Sequence, residues 1–144
     1  MAQKTLADIA KDMARIDFAM LMTRAENGHI AGRPMSNNGE VEYKGDSYFF
    51  ALDSTHTVGE IARDPKVALS FAGREGIVGQ RPVFINVEGQ AELIRDKGQF
   101  QAHWTPDLDR WFEKGIDTPG LVMIKVHASR IHYWAGEEEG ELTV

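Results

Sequence analysis

Apolar residues near the start of the chain recur at helical spacing. Leu6, Ile9, Met13 and Ile16 lie three or four positions apart, and Thr5 with Asp8 makes a capping-box signal in which Asp replaces the usual Glu. They predict an amphipathic helix over residues 5–16. The period then shortens. Residues 18–23 read as a buried strand, Asn27-Gly28 as a hairpin turn, and residues 29–36 as the returning strand. Asn37-Asn38-Gly39 marks another turn. Strands are expected near 40–43 and at 47–52, split by Lys44-Gly45-Asp46.

Residues 57–63 read as a short helix with Val58, Ile61 and Ala62 on one face, ended by Asp64-Pro65. Residues 67–72 read as a strand, and the glycine-rich stretch 73–80 as a loop. Residues 83–94 alternate cleanly. Val83, Ile85, Val87, Ala91 and Leu93 fall on one face, Asn86, Glu88, Gln90 and Glu92 on the other, with Gly89 marking a bulge. Two short helices, 96–104 and 107–114, flank Thr105-Pro106. The last strand signals are 121–126 and 131–134, which also read as one long strand kinked near Ala128-Ser129. Many short strands and few helices, none crossing regularly between strands, predict a mainly β fold: an antiparallel barrel with peripheral helices. There is no internal repeat, linker or composition break, so residues 1–144 are expected to form a single domain.

Composition narrows the function classes. The formal net charge of the 144 residues is −6, and no basic run is visible, which argues against a nucleic-acid partner. The clustered charges are acidic, Glu137 to Glu139 and Glu141, and read as a solvated tail. The absence of cysteine removes disulfides, thiolate nucleophiles and thiolate metal sites. No apolar run approaches membrane-spanning length and no signal core follows the N-terminus, so a cytoplasmic protein with no membrane partner is expected. The five histidines form no ligand pattern, and metal binding is not expected.

Two segments carry the chemistry. Arg33-Pro34-Met35-Ser36 ends one strand, and Asp53-Ser54-Thr55-His56-Thr57 leads from another into a helix. A forked cation, several hydroxyls and the N–H groups of a helix start together suit a phosphate monoester. An Arg at a strand end is ordinarily a solvated charge, and Ser54, Thr55 or Thr57 ordinarily an N-cap. Capping is compatible with anion binding. Pro34 cannot donate to a ladder, so its strand must be an edge or bulged there. Trp111 and Phe112 suit core or interface packing, whereas Trp104 and Trp134 offer planar surface for a conjugated ring.

The ordered set Phe18-Ala-Met-Leu-Met-Thr23, Gly32-Arg-Pro-Met35, Tyr48-Phe-Phe-Ala-Leu52, the Ser/Thr turn, Asp64-Pro-Lys-Val67, Val87-Glu-Gly-Gln-Ala91 and Ile131-His-Tyr-Trp134 resembles the flavin-binding split barrels related to pyridoxamine phosphate oxidase. The segment from Trp104 to Phe112, with Gly115 and Pro119, is similar to the general stress protein 26 branch. The resemblance spans nearly the whole chain. It implies a split β-barrel of the FMN-binding type and a homodimer with the flavin at the subunit interface. It further implies that Arg33 binds the phosphate, that Pro34, Met35 and Ser36 line the flavin, and that Ala51 and Leu52 flank the ring. Ser54, Thr55, His56 and Thr57 would supply the phosphate turn, and Trp104 or Trp134 would approach from the partner.

One departure stands out. The family commonly has lysine at the position matched by Thr57, so the phosphate loses a charge-assisted contact here, and a weaker clamp would also admit FAD. No acid–base pair and no pyridoxamine phosphate site is recognisable. The resemblance therefore implies a flavin protein of the general stress type with a redox role. Its rival is a non-catalytic flavin-binding sensor, carrier or interaction module.

Overall fold

Thr5 accepts a hydrogen bond from the Asp8 N–H, and the Asp8 carboxylate accepts one from the Thr5 N–H at 2.9 Å, so the capping box forms as its spacing predicts. It starts α1 (Leu6–Ala14), which buries Ile9 and Met13. This computed structural model describes residues 3–37, 42–75 and 81–144. The elements that follow are β1 (Phe18–Arg24), β2 (Ile30–Ser36), β3 (Asp46–Leu52), α2 (His56–Arg63), β4 (Lys66–Ala72) and β5 (Val83–Ile94). After them come α3 (Lys97–His103), β6 (Leu121–Ala135) and β7 (Glu138–Thr143).

All strand pairings are antiparallel. The seven strands form one sheet in the order β2-β1-β4-β5-β6-β3, with β7 added to β6. Among the described residues the sheet does not close: β2 and β3 are its two ends, which is the open, split form of the barrel. Pro34 lies on the terminal strand β2, where a missing N–H costs no ladder bond. One face of the sheet packs Leu21, Leu69, Phe71, Ile85, Val87, Ile124 and Ile131 against α1 and α2. A second, smaller cluster joins Phe50 and Met123 to Phe100 of α3 and to Leu108.

Two expectations are met in detail and two change. The signals at 121–126 and 131–134 belong to one strand, because β6 has two partners on one side: β3 along its first half and β7 along its second. The bulge falls where Gly89 predicts, but the unpaired residue is Ser129 on the facing strand, since Glu88 pairs with Arg130 and Gly89 with Ala128. A Cβ at position 89 would collide with the His127 carbonyl, which explains the glycine. The acidic segment is not a free tail. Gly136, at φ +64°, turns the chain so that Ala135 faces Glu138, and residues 138–143 pair with β6.

The second change concerns residues 107–114, which do not form an α-helix. Pro106–Arg110 and Gly115–Asp117 are separate 3₁₀ turns, consistent with the low helix propensity of Asp107 and Asp109. Other limits are smaller. On α2, Ala62 is exposed while Thr57, Val58, Glu60 and Ile61 are buried. The strand expected near 40–43 lies partly outside the described residues, and 42–43 are not strand. Asn38-Gly39 and residues 76–80 also lie outside them.

Candidate functional site

Register decides which backbone groups of β2 are available to a ligand. The Asn37 N–H donates to the Asp17 carbonyl at 2.8 Å, which turns the odd-numbered residues of this strand toward β1. Pro34 and Ser36 therefore direct their backbone groups to the free edge. Arg33 projects to the inner side, toward α2.

There the guanidinium enters a network of polar groups. Arg33 Nη1 donates to the Leu21 carbonyl at 3.1 Å and to Thr23 Oγ1 at 2.7 Å. Nη2 donates to Glu60 Oε1 at 3.0 Å, and the Thr23 hydroxyl donates to the same oxygen at 2.6 Å. The side chains of Arg33 and Glu60 are only 21% and 11% exposed. The Thr23 hydroxyl, and after it the Arg33 charge, hold the Glu60 carboxyl below the usual carboxylate range. Of the five N–H donors of a guanidinium, one on Nη2 and the Nε–H have no partner among the described residues.

The turn into α2 stands over this network. Thr55 is the N-cap: its Oγ1 accepts from the Val58 N–H at 3.4 Å and donates to the Leu52 carbonyl at 2.8 Å. Thr55, His56, Gly59, Glu60 and Arg63 form one wall of an open cleft of about 620 Å³, and Ala25 to Asn27 of the β1–β2 turn form the other. Thr57 is buried beneath the helix and does not line that cleft. Ser54 is exposed in the turn, Leu52 is exposed, and Ala51 packs partly against the main core.

A second cleft, of about 220 Å³, lies between the two open edges of the sheet. Pro34, Met35 and Ser36 of β2 face Phe49 and Phe50 of β3 across it, with Phe18 and the 3₁₀-segment residues Leu108, Trp111 and Phe112 completing the wall. At that volume it falls below the 300–1,000 Å³ of an ordinary ligand pocket, so one chain offers a wall rather than an enclosure.

The two tryptophans go to different places. Trp104 packs on Phe50, with ring centroids 4.8 Å apart, and its indole N–H donates to Asp109 at 2.9 Å, so it buttresses the apolar cleft from behind. Trp134 lies on the far half of β6, stacked 4.2 Å from His132 and opposite Phe84. Thus the structure brings Arg33 beside the helix that starts at His56, and Pro34–Ser36 beside the aromatic cleft. It does not bring Trp104 and Trp134 together within one chain. Glu60 and Thr23 were missed from the sequence. The available signal was a carboxylate beside Ile61 on the inward face of α2, a position where a charge needs a partner.

A family model described as "Pyridoxamine 5'-phosphate oxidase like" matches residues 2–144. No curated protein sequence matches the chain. Among solved structures, General Stress Protein 26 from Bacillus anthracis is similar with a TM-score of 0.71 at 19% identity, over 94% of this chain and 98% of that one. A Clostridium acetobutylicum protein related to general stress protein 26 gives 0.72 at 18%, over 89% and 86%. A heme binding protein from Mycobacterium smegmatis gives 0.76 at 14%, over 99% of this chain and 60% of that one. At these identities the likeness is one of fold.

Proposed function

The chain belongs to the pyridoxamine 5'-phosphate oxidase-like family, and on that premise we propose that it binds a flavin, FMN with FAD as the alternative, and serves a redox role of the general stress type. The observation that carries this reading is the course of β2. Arg33 keeps two N–H donors where it meets Glu60 of α2, and the next residues turn backbone groups toward an aromatic cleft. Arg33, Thr55 and His56 would hold the phosphate end. Pro34, Met35 and Ser36 would lie along the ring, with Ala51 and Leu52 at its flank. A bound flavin supplies the hydride chemistry, and the protein's part is to orient the ring and exclude water. No side chain is assigned as an acid or a base.

The proposed unit is a homodimer of one-domain subunits in the cytoplasm. Phe84 faces Trp134 across β5 and β6, and strand alternation places the exposed Phe18 and Met20 on the same outer face. A second copy laid on that face would cover the apolar surface and complete the half-open cleft. Among the described residues no helix is long and apolar enough to cross a membrane.

Titration of the purified protein with FMN, followed by flavin fluorescence, tests the reading. Saturable quenching supports it, and fluorescence equal to that of free FMN at every protein concentration overturns it. A parallel hemin titration, followed by the Soret band, distinguishes a flavin site from a tetrapyrrole site. NAD(P)H oxidation by the FMN-loaded protein then separates an oxidoreductase from a non-catalytic module: turnover no faster than with free FMN leaves only the module.

A further inference from the structure

We infer that Glu60 sets the ligand selectivity of the proposed flavin site: its carboxylate cancels the Arg33 charge, so the site scarcely distinguishes FMN from uncharged riboflavin. This rests on the flavin reading above and concerns which part of the flavin supplies the affinity.

The argument is one of charge and of occupied donors. Glu60 Oε1 sits 3.0 Å from Arg33 Nη2, and Thr23 bonds to both partners, which locks the pair in register. Glu60 is also part of the cleft wall, so its negative charge faces the space an anion would enter. Arg33 itself does not line the cleft but stands behind Glu60; the cation of the wall, Arg63, is 3.4 Å from Glu26, itself a lining residue. Two guanidinium groups thus stand against two carboxylates, and the local sum is zero. Thr57, buried beneath the helix, adds no charge. His56 is the one further titratable group of the wall.

A phosphate dianion therefore meets oriented N–H donors but no net positive field. Desolvating it beside a fixed carboxylate costs much of what those donors return. The ring and its polyol chain carry no formal charge, so their contacts with the aromatic cleft are unaffected.

The test compares dissociation constants of FMN and riboflavin, by fluorescence quenching, for the unmodified protein and for Glu60→Gln. Glutamine keeps an acceptor for Thr23 and Arg33 and removes only the charge. The unmodified protein is expected to prefer FMN by less than about tenfold, and the variant to raise that preference by about tenfold or more with riboflavin binding unchanged. A preference above about tenfold in the unmodified protein overturns the inference without any variant. An unchanged ratio in Glu60→Gln, with its thermal unfolding still cooperative, also overturns it. Failure of the flavin reading looks different: neither flavin binds either protein.

Discussion

Strand β2 serves two regions of opposite character within four residues. At Arg33 it enters a polar network whose members satisfy one another: one cation, one carboxylate, one hydroxyl and one backbone carbonyl. From Pro34 to Ser36 it borders a cleft walled by Phe49, Phe50, Trp111 and Phe112, with the outer backbone edge of the strand unpaired among the described residues. The first region has its charges paired without a ligand and keeps two guanidinium N–H donors in reserve. The second is a half-site that gains by being covered. A charged residue identified by motif is therefore a weaker guide to affinity than the unsatisfied surface next to it, because a satisfied ion pair has already spent its field on its partner.

The largest effect is expected at the hinge of the apolar region. Phe50 is buried between Phe100 and Trp104. Phe50→Ala should cost about 3–4 kcal/mol in urea unfolding, from lost contacts plus a residual cavity. A loss under about 1 kcal/mol would mean that the second cluster collapses freely and does not hold the cleft open.

Next comes the polar region. Arg33→Ala leaves the Glu60 carboxylate buried without its cation, and the partial exposure of both side chains tempers the cost to about 2–3 kcal/mol. The double variant Arg33→Ala with Glu60→Gln should regain a large part of that loss. Strict additivity of the two changes would show that the pair is not coupled and would remove the contrast between the regions.

A smaller effect separates the regions by pH. The Glu60 carboxyl titrates below the ordinary glutamate value of 4.5 in the folded protein, so the unfolded state takes up its proton first on acidification. Its contribution to stability is complete above that value and is lost as pH falls through the lower folded-state value. The stability gap between the unmodified protein and Glu60→Gln should therefore be constant around neutrality and close in acid. Urea midpoints measured in parallel check this, and a gap that persists to the acid limit would contradict the assignment of the ion pair.

Much of this contrast was legible in the sequence, and the remainder was hidden for physical reasons. Pro34 announced an edge strand and Gly89 a bulge because each imposes a local backbone constraint that survives in any fold. The Thr5–Asp8 cap and the alternation of residues 83–94 were equally local. Partnership was not legible. That Glu60 lies against Arg33 depends on α2 docking over β1 and β2, a contact between residues 27 positions apart. That Trp104 buttresses Phe50 while Trp134 lies on the outer face depends on the two halves of β6 having different neighbours. The acidic segment misled because four glutamates outweighed a short alternation and the turn at Gly136.

The finest distinction between the regions is at Trp111, which lines the apolar cleft yet is 55% exposed. An exposed side chain contributes little to folding, so Trp111→Ser should change stability by no more than about 0.5 kcal/mol. Should the cleft hold a flavin ring, the same change removes an aromatic contact worth about 0.5–1.5 kcal/mol, or roughly a two- to tenfold loss of affinity, equal for FMN and riboflavin. Arg33→Ala has the converse signature, with a large stability cost and a smaller effect on riboflavin than on FMN. A Trp111→Ser variant that binds both flavins as tightly as the unmodified protein would move the ring out of this cleft, whatever the polar network does.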